Sequence, residues 1–302
     1  MPTPQPGIFA LGTRSHFHTE FDLRPGVGDN AVRAALARLH ALEPSAAGLN
    51  AVVGFGAAPW RRLAPADAPG ELRPFDPVGD PGARHAPATQ HDVWLWLHGA
   101  GPDVLLDGAR AAAAALEPVA ALAQEVPCFV YRDGRDLTGF VDGTENPPVE
   151  EAPEVAIVPG GGAGAGGSFA VTQRWRHDLA AFGRLSVAEQ EGVIGRTKPD
   201  SVELDDDVKP ATAHIARVVV ADEAGEELQI FRRSTPYGTI AEHGLYFVAF
   251  SAAIARFDAM LARMFGTSGD GLHDRLTEFT TPVSGAYYFV PSLESLAAAA
   301  GE

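Results

Sequence analysis

Residues 147–167 read PPVEEAPEVAIVPGGGAGAGG: two prolines, an acidic run, then six glycines among residues 160–167. Proline removes a backbone donor and glycine is costly to order, so the stretch reads as a loop or linker with no packed element of its own. It sits at the middle of a 302-residue chain, a length that suits two ordinary domains. The division predicts an N-terminal unit over 1–147 and a C-terminal unit over 148–302, with the linker over 148–167.

The hydrophobic pattern is similar on both sides. Before the linker, His16–Leu23 alternates through Phe17, Thr19, Phe21 and Leu23, as a half-buried strand does. Val32, Leu36, Leu39 and Leu42 then recur at helical spacing over residues 31–42. A strand at Val93–Leu97, a helix around 103–117 and a strand at Cys128–Tyr131 complete the first half. After the linker come a strand at Phe169–Trp175, a helical stretch over 177–193 and a strand at Leu245–Phe250. An amphipathic helix follows, with Ile254, Phe257, Met260, Leu261, Met264 and Phe265 on one face, and then a last strand at Ala286–Val290. Each half reads as strand–helix–strand twice over. The predicted fold is α+β, with two ferredoxin-like halves built on antiparallel sheets.

Composition removes several function classes. Basic residues number 23 against 39 acidic ones, a net charge of −16 that argues against nucleic acid or an anionic membrane as the main partner. A single cysteine, Cys128, excludes an intramolecular disulfide, a cysteine-rich zinc site, a thiolate-held iron–sulfur cluster and a CxxCH haem attachment. HExxH, GxSxG and Walker A strings are absent. The opening residues carry no charged segment followed by an apolar run and no twin arginine, and no apolar stretch is long enough for a membrane span. A soluble, cytoplasmic protein is expected.

Three strings carry candidate chemistry. Gly139-Phe-Val-Asp142-Gly143-Thr-Glu-Asn146-Pro147 contains two strong turn signals, so Asp142 either braces its own backbone or is presented on a rigid, glycine-flanked loop. In Ile230-Phe-Arg232-Arg233-Ser234-Thr-Pro236-Tyr237-Gly238, strand alternation places Arg232 and Ser234 on one face and Arg233 on the other. An arginine beside a hydroxyl suits a site where negative charge develops; the alternative is a solvated edge strand in a chain with 21 arginines. His214, in Lys209-Pro-Ala-Thr-Ala-His214-Ile-Ala-Arg217, precedes a β-branched run and is either a packed rim residue or a metal ligand.

Taken together, in this order and spacing, the strings resemble the dye-decolorising haem peroxidases, most like their bacterial B-type branch. The GxxDG signature stands as Gly139–Gly143, the Arg-x-Ser motif as Arg232–Ser234 before Pro236-Tyr237-Gly238, and the proximal histidine segment as His214–Arg217. Ile194–Lys198 and Phe279–Pro291 match as well, and the resemblance covers about residues 7–296.

The resemblance implies two ferredoxin-like halves of a dimeric α+β barrel-like superfold, with one haem b per chain held mainly by the second half. It implies His214 as the axial iron ligand, with its other nitrogen oriented by a carboxylate: Asp274 in His273-Asp-Arg-Leu, or else Glu278. Asp142 would carry the peroxide proton, Arg232 would stabilise charge as the O–O bond breaks, and Ser234 would complete the distal hydrogen bonds. Whether Arg232 or burial dominates the Asp142 pKa is open at this level. Arg196 is implied near a haem propionate and Phe247 at the distal pocket. The implied activity is reduction of hydrogen peroxide through a ferryl intermediate, with one-electron oxidation of dyes, phenols or other small organic donors. Surface aromatics would pass electrons from bulky donors, with Trp60, Trp175, Tyr237, Tyr287 and Tyr288 as candidates. A homo-oligomer is expected. Encapsulin cargo is not, since the run Leu293–Glu302 shows no docking tail. The alternative activity is haem binding or iron release, deferrochelatase-like, without peroxidase turnover.

Overall fold

Val93-Trp-Leu-Trp-Leu-His-Gly99 is a strand buried along its whole length. Val93, Leu95 and Leu97 pack with the helices on one face, while Trp94 and Trp96 point into a second apolar cluster on the other. A strand covered on both faces reads as a continuous apolar run, which is why it is legible without strict alternation. The computed structural model describes residues 2–40 and 48–301. Leu42, expected on the first helix, lies outside the described residues.

The first half contains β1 (Ser15–Leu23), α1 (Asp29–His40), β2 (Asn50–Phe55), β3 (Val93–Gly99), α2 (Pro102–Leu116) and β4 (Ala120–Phe129). The second contains α3 (Ala152–Ala156), β5 (Ser168–His177), α4 (Val187–Ile194), α5 (His214–Val218), β6 (Thr235–Gly238), β7 (His243–Ser251), α6 (Ile254–Met264) and β8 (Ala286–Val290). The pairings are antiparallel and run β4-β1-β3-β2 in the first half and β8-β5-β7-β6 in the second. Phe289 of β8 pairs with Phe55 of β2, and Cys128 of β4 pairs with Tyr237 of β6. These two junctions join the halves into one closed ring of strands.

Closure gives the sheet an inside and an outside. The interior holds a stack of rings in which His18 lies 4.0 Å from Tyr246 and Trp96 lies 4.1 Å from His98, centroid to centroid. Outside, α1 covers the first half through Val32, Leu36 and Leu39, and α6 covers the second through Ile254, Phe257 and Leu261. Both helices present the face that their spacing predicts.

Three sequence expectations are corrected, and one strand is added. The central segment is not free of packed structure: α3 forms within it and buries Ala152, Val155 and Ala156, because the alanine and valine lie on one side of a single turn. Residues 177–193 form two short helices, Leu179–Gly183 and α4, since Ser186 caps the second rather than continuing the first. The strand expected at Cys128–Tyr131 is the long β4, ending at Phe129. β2 was not anticipated at all.

Candidate active site

A cavity lies between the outer face of β5 and β7, the inner face of α6, the start of α5 and the loop around Asp142. Strand alternation sends Val171, Gln173, Trp175 and His177 of β5 into it, together with Leu245 and Phe247 of β7. α6 supplies Phe257, Met260, Leu261 and Met264. Into this largely apolar space project His214, Asp142, Arg232 and Arg196.

His214 opens α5, and its Nδ1 lies 2.6 Å from Oδ2 of Asp274. Asp274 is completely buried, and its other oxygen accepts the Leu276 N–H at 2.9 Å. A carboxylate only accepts, so Nδ1 is the donor to Asp274, and in the neutral tautomer of the ring Nε2 carries the lone pair. The partners are fixed from several sides. Asp274 N–H donates to Met264 O, Arg275 N–H to Thr212 O, and the buried Arg217 ties α5 to Asp270 at 2.7 Å. Glu278 instead approaches His273, at 3.1 Å, so Asp274 is the carboxylate beside His214.

Asp142 lies at the end of a small hairpin in which Arg135 and Val141 form a β-bridge and Asp136 N–H donates to Phe140 O. Gly143 follows at φ +81°, a left-handed conformation that glycine adopts without strain. Burial pushes the Asp142 carboxyl above its ordinary pKa; Arg232 opposes this, Asp136 adds to it, and a Gly143 backbone bond and His214 oppose it further. The competition left open by the sequence is thus decided in favour of burial. Asp136 goes the other way: His177 Nε2 at 3.0 Å and the Thr138 hydrogen bonds outweigh its burial and hold it at about 2.

Arg232 belongs to a two-residue strand, Phe231–Arg232, paired with β7 through Ala249. Arg233 turns to the opposite side, as alternation requires, where its guanidinium donates to Ala10 O at 2.7 Å and lies 5.0 Å from the Trp96 ring. Burial lowers the Arg233 pKa to about 10. Ser234 does not join Arg232 on the cavity wall. Its hydroxyl accepts the Val248 N–H at 3.2 Å, taking the place of a ladder carbonyl where the strand is interrupted. Arg196 donates to Ser201 O at 2.6 Å and pairs with Glu145 and Glu203. The five aromatics proposed as surface residues are all buried, each at most 5% exposed: Trp60, Trp175, Tyr237, Tyr287 and Tyr288.

Sequence reasoning passed over Gln173, His177 and Asp136 as cavity residues and treated Asn146 only as a turn signal. The alternation of β5 could have indicated Gln173 and His177, because it puts them on the face of Val171 and Trp175.

The Dyp-type peroxidase N-terminal family model matches residues 23–129, and the Dyp-type peroxidase C-terminal model matches residues 133–295. A dye-decolorizing peroxidase of Rhodococcus erythropolis is 39% identical over 304 residues, covering 97% of this chain and 88% of its own. Among solved structures, the encapsulated DyP-type peroxidase of Mycobacterium smegmatis superposes with a TM-score of 0.92 at 36% identity, covering 98% of both chains. A variant of DypB from Rhodococcus jostii RHA1 in complex with heme gives 0.90 at 33% identity, again over 98% of both.

Proposed function

The chain belongs to the Dyp-type peroxidase family, and on that premise we propose that His214, Asp142 and Arg232 carry its peroxide chemistry around a haem held in the cavity. It is a haem peroxidase, an oxidoreductase acting on peroxide and an organic donor. The observation that carries the assignment is the convergence of a carboxylate-oriented histidine, a second carboxylate and an arginine on one apolar cavity.

The residues present fit a haem. His214 offers one imidazole nitrogen with its partner nitrogen already held, as a histidine that would hold a haem iron needs. Gln173 Nε2 and Arg196 Nε are buried on the cavity wall without a hydrogen-bond partner, as groups that await a polar ligand are. With His214 as the protein's ligand, a macrocycle would supply the remaining ligands to the iron. Haem b, one per chain, supplies when bound the iron at which peroxide is reduced.

In this account His214 would hold the haem iron, and Asp274, bonded to Nδ1, would keep the other ring nitrogen basic and the ring fixed. Ionised Asp142 would accept the proton that hydrogen peroxide releases and return it to the departing oxygen, which would leave as water, while the bound haem would supply the two electrons for O–O cleavage and keep the other oxygen. Arg232 stabilises negative charge on the departing oxygen. Phe247 and the α6 side chains exclude water from the wall they share. Arg196, already paired with Glu145 and Glu203, would be the residue to face a haem propionate. Ser234 acts from behind the wall by holding the Val248 backbone beside Phe247.

We read each half of the barrel as ferredoxin-like, with units over 1–147 and 148–302, because both sheets place their strands in the order fourth, first, third, second. A homo-oligomer in the cytoplasm completes the proposal, and fractionation and light scattering test it. Encapsulation is described for a relative at 36% identity; our expectation that this chain is not cargo is tested by co-expression with a shell protein. Iron release is not favoured, as the curated relatives carry the peroxidase name.

The experiment is a hemin titration of the apoprotein. His214→Ala is expected to abolish the wild-type Soret spectrum, and Asp274→Asn to weaken hemin retention by roughly 10–100-fold. Full loading of His214→Ala with an unchanged spectrum would refute the axial assignment.

A further inference from the structure

We infer that Asn146 is a positioning residue for the peroxide step, clamping the Asp142 loop to the Arg232 strand so that carboxylate and guanidinium address the same peroxide. The inference rests on the assignment of Asp142 and Arg232 above.

The Asn146 side chain makes a reciprocal pair with the backbone of Arg232. Its Nδ2 donates to Arg232 O at 2.8 Å, and its Oδ1 accepts the Arg232 N–H at 2.8 Å. This is the two-bond pattern by which one peptide group of a strand pairs with another. Phe231–Arg232 is a sheet edge. It pairs with β7 on one side, and no strand among the described residues pairs with it on the other. The Asn146 amide occupies that open side as a one-residue substitute strand, satisfying a donor and an acceptor that would otherwise face the half-buried loop.

The amide is delivered rigidly. Asn146 N–H donates to Gly143 O at 3.1 Å, closing a turn that begins one residue after Asp142. Pro147 follows and is buried, and a residue before proline is confined to extended backbone. Glu145 is tied to Arg196 on the adjacent segment. Three residues thus separate Asp142 from an anchor placed on the backbone of Arg232 itself. A misplacement of about 1 Å between reacting groups can lower a rate by about 10²-fold, so such a clamp has kinetic consequences out of proportion to two neutral hydrogen bonds.

Asn146→Asp retains the shape and the acceptor but loses the donor and sets a charge against the Arg232 carbonyl; Asn146→Ala removes both bonds. Each is expected to slow the bimolecular reaction of the hemin-loaded protein with hydrogen peroxide by about 10–100-fold. Hemin affinity and KM for the organic donor should stay near wild type. Fluoride provides a readout independent of turnover. Its affinity for the ferric protein should fall, and the visible charge-transfer band of the fluoride complex, which reports hydrogen-bond donation to the bound anion, should move towards that of Arg232→Leu. In the Arg232→Leu background the Asn146 substitutions should add little, because a clamp acts through the residue it holds.

Wild-type peroxide rates and an unshifted fluoride band in both Asn146 variants would overturn the inference while leaving the Arg232 assignment intact. An undiminished additional loss in the Arg232→Leu background would also overturn it, assigning Asn146 a purely structural role. If Arg232→Leu itself leaves the peroxide step unchanged, the underlying assignment fails instead. Should Asn146→Ala not fold, Asn146→Asp carries the test alone.

Discussion

Asp142 is a carboxylate held above its ordinary pKa, chiefly by burial. A group whose folded pKa exceeds its unfolded value binds protons more tightly when folded, so its ionisation lowers stability as pH rises between the two values. Asp142→Asn is therefore expected to raise the melting temperature of the apoprotein at neutral pH, and the gain should vanish as the pH is lowered below the ordinary Asp value of about 3.9. The same substitution should slow the peroxide reaction by about 10²-fold and remove the acidic limb of its pH profile, because a proton acceptor works only when ionised. Unchanged thermal scans at both pH values would contradict the electrostatic account of this residue. At this scale Asp142, His214 and Arg232 stood out from 21 arginines and ten histidines only through the family resemblance of their strings, and the structure brings the three to one cavity. The Asn146–Arg232 pair was not legible, since its partners lie 86 residues apart and meet only after folding. Ser234 misled because alternation presumes an unbroken strand, and the ladder is interrupted where its hydroxyl substitutes for a carbonyl.

At the scale of elements, α4 and α5 meet around a glycine. Gly195 ends α4 at φ +96°, and a Cβ there would lie 2.2 Å from Cγ2 of Ile215, the residue after His214. Gly195→Ala should cost at least about 1–2 kcal/mol from left-handed strain alone, more with the displacement of Ile215, and should loosen the seat of His214. Denaturant unfolding with an unchanged midpoint would contradict this reading. The elements themselves were legible where periodicity was strong. β1, β3, β5, β7, β8, α2 and α6 follow from apolar spacing, as does the described part of α1. β2 is a short run, Asn50-Ala-Val-Val-Gly-Phe55, whose apolar residues do not alternate and which is too short to tell strand from helix. β4 hides its first turns in Ala120-Ala-Leu-Ala-Gln-Glu, a composition that reads equally as helix, and carries Pro127. The short α3 was missed because the glycines that follow it dominate the composition of the segment.

For the whole molecule, the two halves are joined into a barrel at Phe55–Phe289 and Cys128–Tyr237. The repeated strand–helix order was legible in the sequence, whereas the barrel entered only through the family resemblance, since nothing local marks which strand edges meet. Among the described residues no helix is long and apolar enough to cross a membrane. The net charge of −16 acts over the entire surface. It should steer cationic donors, so their kcat/KM is expected to fall by about 10-fold as salt is raised from low to physiological ionic strength, while anionic dyes should show the opposite slope. Equal salt slopes for the two donor classes would show that the surface field plays no part in donor encounter. The central claim is that one cavity unites a haem-binding His214 with Asp142 and Arg232 as the groups that cleave peroxide. The most direct measurement is stopped-flow absorbance at the Soret band of hemin-loaded wild type and Arg232→Leu mixed with excess hydrogen peroxide. The account predicts a saturable or linear peroxide-dependent change in wild type, slowed by about 10²–10³-fold in Arg232→Leu; equal rates in the two proteins would contradict it.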